Sequence, residues 1–465
     1  MGERRYSWKG SEWMKGETAG EAKREQPPVV FRGEALRLRK ADDEEGTSAH
    51  PVGAEEAWER FEPFLKRTGV TRVSDITQLD RIGIPVFNVL RPSINGYTAA
   101  HGKGFTRTAA RLSAAGESLE RWYATCPSTP SFRGTWNELS AKYTMIPPER
   151  MAMTPYSFFH KNLEIPWTLG WDIVHQEEIP LPLELVRLSP GGPDSALMSL
   201  DEGFLFQCSS NGLSCGVHFL EAVSQALLEV VERDSVTVCT MGARGKGIPG
   251  AVFRAALPET IPFPKVQELY EKIRSAGVEV LLCDNGTDVG VPTWNCYLFD
   301  MEDSPGEIGG VAHGMGSSLD HETAMIRAVT EAVQGRCVFL SGVRDIVPSK
   351  EFAGFMNVGA RTAFKAMKSS VGEWLDMSGV EDVPFATFEE DVHETVRRLS
   401  AVGLDRVIVY RLSRPDDPVQ AVKVVVPGAE GYILPYYQPG ERGVAAIRRG
   451  FKEGSPLFRT EGFSW

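Results

Sequence analysis

"RLSAAGESLERW", residues 111–122, is the stretch whose reading decides the rest. Its composition favours a helix. On a helix, positions three, four and seven apart return to the same side, so Ser113, Glu117, Glu120 and Arg121 share one face. One narrow stripe therefore carries a hydroxyl, two carboxylates and a guanidinium. A single such stripe is ordinarily a solvated face, so its neighbours must decide what it is.

Just before it, "NGYTAAHGKG" (95–104) reads as a glycine-rich loop that sets Lys103 between two glycines, placed to meet a phosphate. The pattern GxxxxGK[ST] is absent, so this is not a P-loop. A second instance follows in "SNGLSCGVHFLEAVSQALLEVVERDS" (210–235). There Glu221, Glu229 and Glu232 fall on one side of the helix, with Val223, Leu227, Val230 and Val231 opposite. The dipeptide Glu-Arg closes both stripes, at 120–121 and at 232–233. A third instance is "GMGSSLDHETAMIRAVTEAVQGR" (314–336), where Arg327, Glu331 and Gln334 share a face and Arg344 follows in "SGVRD".

Carboxylates gathered from Glu117, Glu120, Glu221, Glu229 and Glu232 onto one cavity would repel each other unless cations neutralised them. A hard divalent cation such as Mg²⁺ takes oxygen ligands and bridges to phosphates. The arginines would hold phosphate oxygens by paired hydrogen bonds. Three stripes on separate helices thus point to a metal and polyphosphate site rather than three solvated faces.

The bulk numbers are compatible with an enzyme of this kind. The chain has 465 residues, 42% hydrophobic and 24% charged, an ordinary globular composition. A net charge of -12 argues against a nucleic-acid or anionic-membrane binder, which needs excess Lys and Arg. No apolar run is long enough to span a bilayer, and the N-terminus lacks an apolar signal core. The seven cysteines (126, 208, 215, 239, 283, 296 and 337) form no CxxC pair and read as reduced thiols of a cytoplasmic protein.

Residues 1–53, ending in "ADDEEGTSAHP", read as a flexible polar extension in which Trp8 and Trp13 are exposed. "AEEAWERFEPFLKRTG" begins the regular pattern, with a helix stopping at Gly69. "RVSDIT" and "IPVFNVL" read as strands, as do "VEVLLCDN", "TWNCYLF", "RVIVYRL" and "AVKVVVPG". "VQELYEKIRSAG", "ETAMIRAVTEAVQGRCVFL" and "EEDVHETVRRLSAVG" read as helices. The fold class is mixed α/β. One large domain is expected over 54–435, followed by a tail over 436–465.

Taken together these blocks resemble a known family. Ser113, Glu117, Glu120 and Arg121 match Sx3ExxER, and Ser214 and Glu221 match Sx6E ahead of "LLEVVERD". Gln334 and Arg344 come after "RAVTEAVQGR", with "DITQLDRIGIPVFNVLRP" upstream and "VVVPGAEGY" downstream. In this order they resemble the YcaO family over roughly residues 56–432. The resemblance implies an ATP-dependent enzyme with a non-P-loop nucleotide site that phosphorylates a peptide-bond oxygen, so that a nucleophile can add to the amide carbon. It implies Glu117, Glu120, Glu221, Glu229 and Glu232 as magnesium ligands. Ser113, Arg121, Ser214, Arg233, Gln334 and Arg344 become ATP contacts, beside the Lys103 already read from its loop as a phosphate contact. No side chain in the blocks is implied as a covalent nucleophile.

The resemblance also frames the choice of nucleophile. Azoline-forming members use a Cys, Ser or Thr of the substrate and commonly end in a proline-rich tail, which "SPLFRTEGFSW" is not. Amidine-forming members use an amine. Thioamide-forming members take sulfide and commonly work with a TfuA-like partner, and thioamidation of a ribosomal peptide or a protein is the expectation here. An E1-like partner belongs to the cyclodehydratase alternative, and a non-catalytic leader-peptide or partner-binding protein is a further one. A homodimer is expected. Two departures stand out. Val217 and His218 occupy positions where the family tends to have a polar Asn, and Lys423 stands where an Arg is frequent.

Overall fold

Each of the three striped helices grows directly out of a strand that ends a sheet. The computed structural model describes residues 6–7, 26–41, 50–92, 98–125, 131–188, 205–245, 253–301, 310–341, 359–382, 385–431 and 437–452. Along the chain, β1 (Tyr6–Ser7), β2 (Val29–Phe31) and β3 (Glu34–Leu36) precede α1 (Ala54–Arg67). Strands β4 (Arg72–Asp75), β5 (Val86–Leu90) and β6 (Ala99–Lys103) lead into α2 (Arg107–Thr125). Then β7 (Phe132–Gly134), the one-turn α3 (Trp136–Leu139), β8 (Ile165–Asp172), β9 (Glu177–Pro182) and β10 (Leu213–Gly216) lead into α4 (Phe219–Gly245). Next come β11 (Phe253–Ala256), α5 (Pro264–Ser275), β12 (Val278–Asp284), β13 (Thr293–Asp300) and β14 (Val311–Ser317), before α6 (His321–Leu340). The chain continues through α7 (Ala360–Ser369), β15 (Val371–Asp376), α8 (Phe388–Ala401), β16 (Ile408–Arg411), β17 (Gln420–Val425) and α9 (Glu441–Lys452).

The larger strands form two sheets. One runs β1-β15-β11-β12-β13-β14; the other runs β10-β17-β16-β8-β7, with β9 paired to β8. A third sheet is β4-β5-β6. Thus β14, β10 and β6 are edge strands, and α6, α4 and α2 follow them. Helix α2 lies against β6 and β10, α4 against β10 and β14, and α6 against β14 and β6, so the three units close a cycle.

Glycine makes that closeness possible. A Cβ on Gly102 of β6 would overlap the backbone of Ala110 and Ala114 in α2, and one on Gly316 of β14 would overlap Ala324 and Ala328 in α6. Here the structure corrects the sequence reading. "AHGK" is strand rather than glycine-rich loop, and its glycine serves helix contact instead of turning the chain.

Apolar burial fixes the units. Helix α6 buries Met325, Ile326, Val329 and Val333 beside Trp294 and Leu298 of β13. Helix α4 buries Leu220, Val223, Leu227 and Val231 against Val409, Val422 and Val424 of the second sheet. Beneath α6 sits a charged hub. Arg336, 7% exposed, donates from Nε to Asp80 at 2.8 Å and from Nη2 to Asp300 at 2.7 Å. Arg81 donates to the other Asp300 oxygen at 2.6 Å. Removing one member of a buried ion network strands the rest at a cost of about 3–5 kcal/mol. Asp80→Ala is therefore expected to lose stability on that scale in urea unfolding, with nucleotide affinity of the folded fraction unchanged.

The N-terminal reading differs in part. Within the segment expected to be a flexible extension, β2 and β3 pair, and Val29, Phe31 and Leu36 bury themselves in the α4 and α8 core. Lys40 reaches Asp391 at 2.8 Å, and the Leu38 amide donates to Glu389 at 2.9 Å. Apolar alternation anchors what polar composition suggested was loose. Trp8 and Trp13 lie outside the described residues. The six described cysteines are free thiols. Among the described residues no helix is long and apolar enough to cross a membrane.

Candidate active site

An edge strand presents unpaired backbone N–H groups, and a buried one must find an acceptor. The glutamates of the stripes are those acceptors. In α2, Glu117 accepts from the His101 amide of β6 at 2.6 Å, and Glu120 accepts from the Cys215 amide of β10 at 3.0 Å. In α4, Glu232 accepts from the Ser317 amide of β14 at 3.1 Å, and Glu221 accepts from the Val217 amide at 2.7 Å. The hydroxyl of Ser113 is 3.4 Å from the Lys103 amide. Glu117, Glu120 and Glu232 thus close the edges of β6, β10 and β14, which keeps these carboxylates pointed inward.

These bonds leave acceptor capacity over. Arg121 takes the second oxygen of Glu117 at 2.5 Å and also donates to the Ala99 carbonyl at 2.8 Å. Glu229 accepts no hydrogen bond among the described residues, and Glu120 holds its amide through Oε1. Burial pushes the Glu120 carboxyl up to about 8, helped by the negative charges of Glu229 and Glu117. Burial also pushes Glu229 up to about 7, with Glu232 adding to it and Arg233 and Lys423 opposing. Two helices thus hold neighbouring carboxyls in a place where burial disfavours negative charge, although Arg233, Lys423 and Arg327 stand near Glu229.

A second compartment has the opposite balance. Lys103 of β6 pairs with Glu331 of α6 at 2.5 Å. Burial alone would raise Glu331, but Lys103, Arg233 and Arg327 outweigh it and bring its carboxyl down to about 2. Arg327 donates to Gln225 of α4 at 2.7 Å. Arg233 lies 3.5 Å from Glu232 and points Nη1 at the Met315 sulfur, 3.8 Å away. Lys423 of β17, 4% exposed, donates to the Ser209 carbonyl at 2.5 Å, and burial pulls it down to about 8 against the pull of Glu229.

The structure therefore brings together Glu117, Glu120, Glu229 and Glu232, with Arg233 beside Glu232 and Glu229 and Lys103 at Glu331. Glu221 sits at the start of α4, within electrostatic reach of Cys215, the residue whose amide Glu120 holds. Eight residues of helix separate it from Glu229, about 12 Å along the axis, and its free oxygen meets His50 Nδ1 at 2.7 Å. Ser214 is buried on β10 opposite Val422. Gln334 faces inward one turn from Glu331, its Oε1 buried with no partner among the described residues. Arg344 lies outside the described residues. His218 spends its Nδ1 on the Leu220 amide, so it acts as a cap at the start of α4. Sequence reasoning missed Gln225, although its position four residues after Glu221, just over one turn on, puts it on the same stripe. It passed over a neutral side chain while looking for charge.

Among the described residues no three acidic, histidine or cysteine side chains form a ready-made metal cage. Magnesium does not need one, since it is usually held by one or two carboxylates with waters and phosphate oxygens. The buried Glu120–Glu229 pair, with Arg233, Arg327 and Lys423 close by, fits that donor set.

Comparison with known proteins places this architecture. The family model for YcaO cyclodehydratase, ATP- and Mg²⁺-binding, matches residues 101–430. The chain belongs to the YcaO family. An uncharacterized protein of Methanothermobacter thermautotrophicus is 32% identical over 405 residues, covering 84% of this chain and 98% of that one. A protein encoded in a tfuA 3' region of Rhizobium leguminosarum bv. trifolii is 29% identical, over 83% of this chain and 90% of its own. In structure, the YcaO of Methanopyrus kandleri, solved with AMPPCP and Mg²⁺, aligns with a TM-score of 0.65 at 23% identity. That alignment covers 90% of this chain and 99% of its own, a likeness of fold. The YcaO match begins inside β6 and ends at Glu430, so it contains all three strand–helix units.

Proposed function

We propose that this YcaO protein uses ATP to activate a peptide backbone amide, and that sulfide is the nucleophile, giving a thioamide. The observation that carries the first half is a convergence: the buried carboxyls Glu120 and Glu229 of α2 and α4 lie beside the cations Arg233, Arg327 and Lys423, and two of those cations, with Lys103, also draw down Glu331. A magnesium-bound polyphosphate complements both the carboxyls and the cations. The tfuA-region relative supports the second half.

Glu117, Glu120, Glu229 and Glu232 would hold Mg²⁺, which when bound supplies positive charge against phosphate oxygens. Glu221 would serve a cation only by releasing His50. Arg121, Arg233 and Lys103 would bind phosphate oxygens, with Ser113, Ser214, Gln334 and Arg344 as further nucleotide contacts. An amide is a poor electrophile and its oxygen a poor leaving group, so transfer of the terminal phosphoryl group to that oxygen is the useful step. Sulfide then forms the carbon–sulfur bond as phosphate departs, so amide, ATP and sulfide become thioamide, ADP and phosphate. The side chains of this site position and neutralise charge, which is what phosphoryl transfer mainly requires. We assign the catalytic unit to residues 54–435.

The test is to incubate the protein with ATP, Mg²⁺, sulfide, a candidate precursor peptide and a TfuA-like protein, then weigh the peptide. Replacement of one oxygen by sulfur supports the assignment. Loss of water instead would make it an azoline-forming cyclodehydratase or an amidine-forming enzyme, since an amine condensing on the amide also expels water. Nucleotide binding with no turnover under any substrate would make it a binding protein.

A further inference from the structure

Arg411, the last residue of β16, has its guanidinium stacked in a corner made by two aromatic rings. Phe31 of β2 and Phe219, the first residue of α4, meet with ring centroids 4.6 Å apart, tilted by 52°. The guanidinium lies 4.0 Å from the Phe219 ring centre and 5.2 Å from that of Phe31. Stacking engages the flat face of the cation and leaves its in-plane N–H donors to other partners. Among the described residues no carboxylate supplies one. Nε is buried without an acceptor, and Glu34 of β3 acts on the group through charge alone.

The corner lies beside the candidate active site. Arg411 faces Val422 of β17 in register, and Val422 faces Ser214 of β10. Two strand spacings, about 10 Å, therefore separate Arg411 from Ser214. His218 feels the charges of Arg411, Glu34 and Glu221 alike. Its Nδ1 accepts from the Leu220 amide, so the neutral ring carries its proton on Nε2 and adds a donor to this neighbourhood.

We propose that Arg411 reads a carboxylate of the peptide substrate, an acidic side chain or the C-terminal end, a few residues from the amide that is modified. The proposal rests on the assignment of this site to ATP-dependent amide activation. An extended peptide advances about 3.3 Å per residue, so a chain presenting one amide to the nucleotide crosses about 10 Å in three residues. A guanidinium held against two rings loses little freedom on binding, and its paired donors match the two oxygens of a carboxylate. Glu34 and Glu221 share the same surroundings, so a singly charged anion suits the corner better than a phosphate dianion.

The experiment captures random heptapeptides, one set ending in an amide and one in a free carboxylate, on immobilised full chain loaded with Mg²⁺ and AMPPCP. Wild type and Arg411→Gln are compared by mass spectrometry of the retained peptides, with calorimetry of Mg·AMPPCP and thermal melting alongside. Wild type is expected to enrich Asp and Glu in the amide set, or free-acid peptides over amides, by about tenfold, the scale of one charge-assisted hydrogen bond. The first outcome identifies a side chain and the second a C-terminus. Arg411→Gln is expected to lose that preference while binding Mg·AMPPCP as tightly as wild type. Should it not fold, Arg411→Lys keeps the charge without the paired donors and is expected to lose most of the preference. The proposal alone is overturned if a wild type that binds Mg·AMPPCP shows no acidic preference, if a folded variant keeps the preference, or if nucleotide affinity is lost instead. A wild type that binds no Mg·AMPPCP overturns the nucleotide assignment itself, and the proposal with it.

Discussion

Glu120→Gln is expected to cut Mg²⁺-dependent ATP turnover by at least about 10²-fold, the scale seen when one preorganised charge contact is lost. The same change is expected to make the ligand-free protein more stable at pH 8. The sign follows from the direction of the shift. The folded-state carboxyl of Glu120 is raised from its usual 4.5 to about 8, so between those values the folded chain keeps a proton that the unfolded chain has lost. Stability is therefore greatest below the lower value and falls as pH rises through the upper one. Glutamine cannot acquire the charge and escapes that penalty. Melting curves at pH 6 and pH 8 are expected to show the variant gaining on the wild type as pH rises. A variant that is inactive and also less stable at both pH values would mean that Glu120 is only an edge acceptor for Cys215. Glu229, raised to about 7, is expected to behave alike over a window that ends lower.

Gly102→Ala is expected to be the most damaging single change to the fold. The added methyl group would meet the main chain of α2 at Ala110 and Ala114, and no flexible side-chain end is there to move aside. Either β6 leaves its place beside β5 or α2 lifts, and lifting α2 withdraws Glu117 from the His101 amide and Glu120 from the Cys215 amide. Overpacking ordinarily costs about 1–3 kcal/mol. The expected loss here is at or above the top of that range, read by urea unfolding or by failure to accumulate soluble protein. Gly379→Ala, where a Cβ meets nothing within 4 Å, is the matched control and is expected to be near neutral.

The contrast between these two variants marks what the sequence made legible. The stripes were visible because helical spacing is geometric: Ser113, Glu117, Glu120 and Arg121 share a face whatever α2 packs on. Strongly periodic elements such as α5, α6 and α8 and the β-branched runs of β12, β13 and β17 could be read for the same reason. Strands β6 and β14 could not. Glycine is a poor strand former, and in "AAHGK" and "VAHGMGS" it occupies the strand for the benefit of a helix that only the tertiary fold brings near. The Pro residues at 180 and 182 hid β9 in a similar way.

The site was half legible. Composition along a helix named the carboxylates but could not say what each one does, because their partners are remote. Glu221 meets His50 across 171 positions, and Lys103 meets Glu331 across 228. The sequence gathers all five glutamates into one metal shell; the fold sets Glu221 about 12 Å along α4 from Glu229 and gives it His50 as a partner. Nor could spacing reveal that the carboxylates also close the edges of three sheets, which ties binding and folding to the same side chains.

The central claim is that these edges face one another across a magnesium–nucleotide site, and calorimetry of the wild-type protein tests it most directly. AMPPCP titrated in the presence of Mg²⁺ is expected to give saturable binding, and the same titration in EDTA little or none, because Glu120 and Glu229 would then confront the phosphates uncompensated. Equal affinity with and without Mg²⁺, or no binding heat in either case, would contradict it.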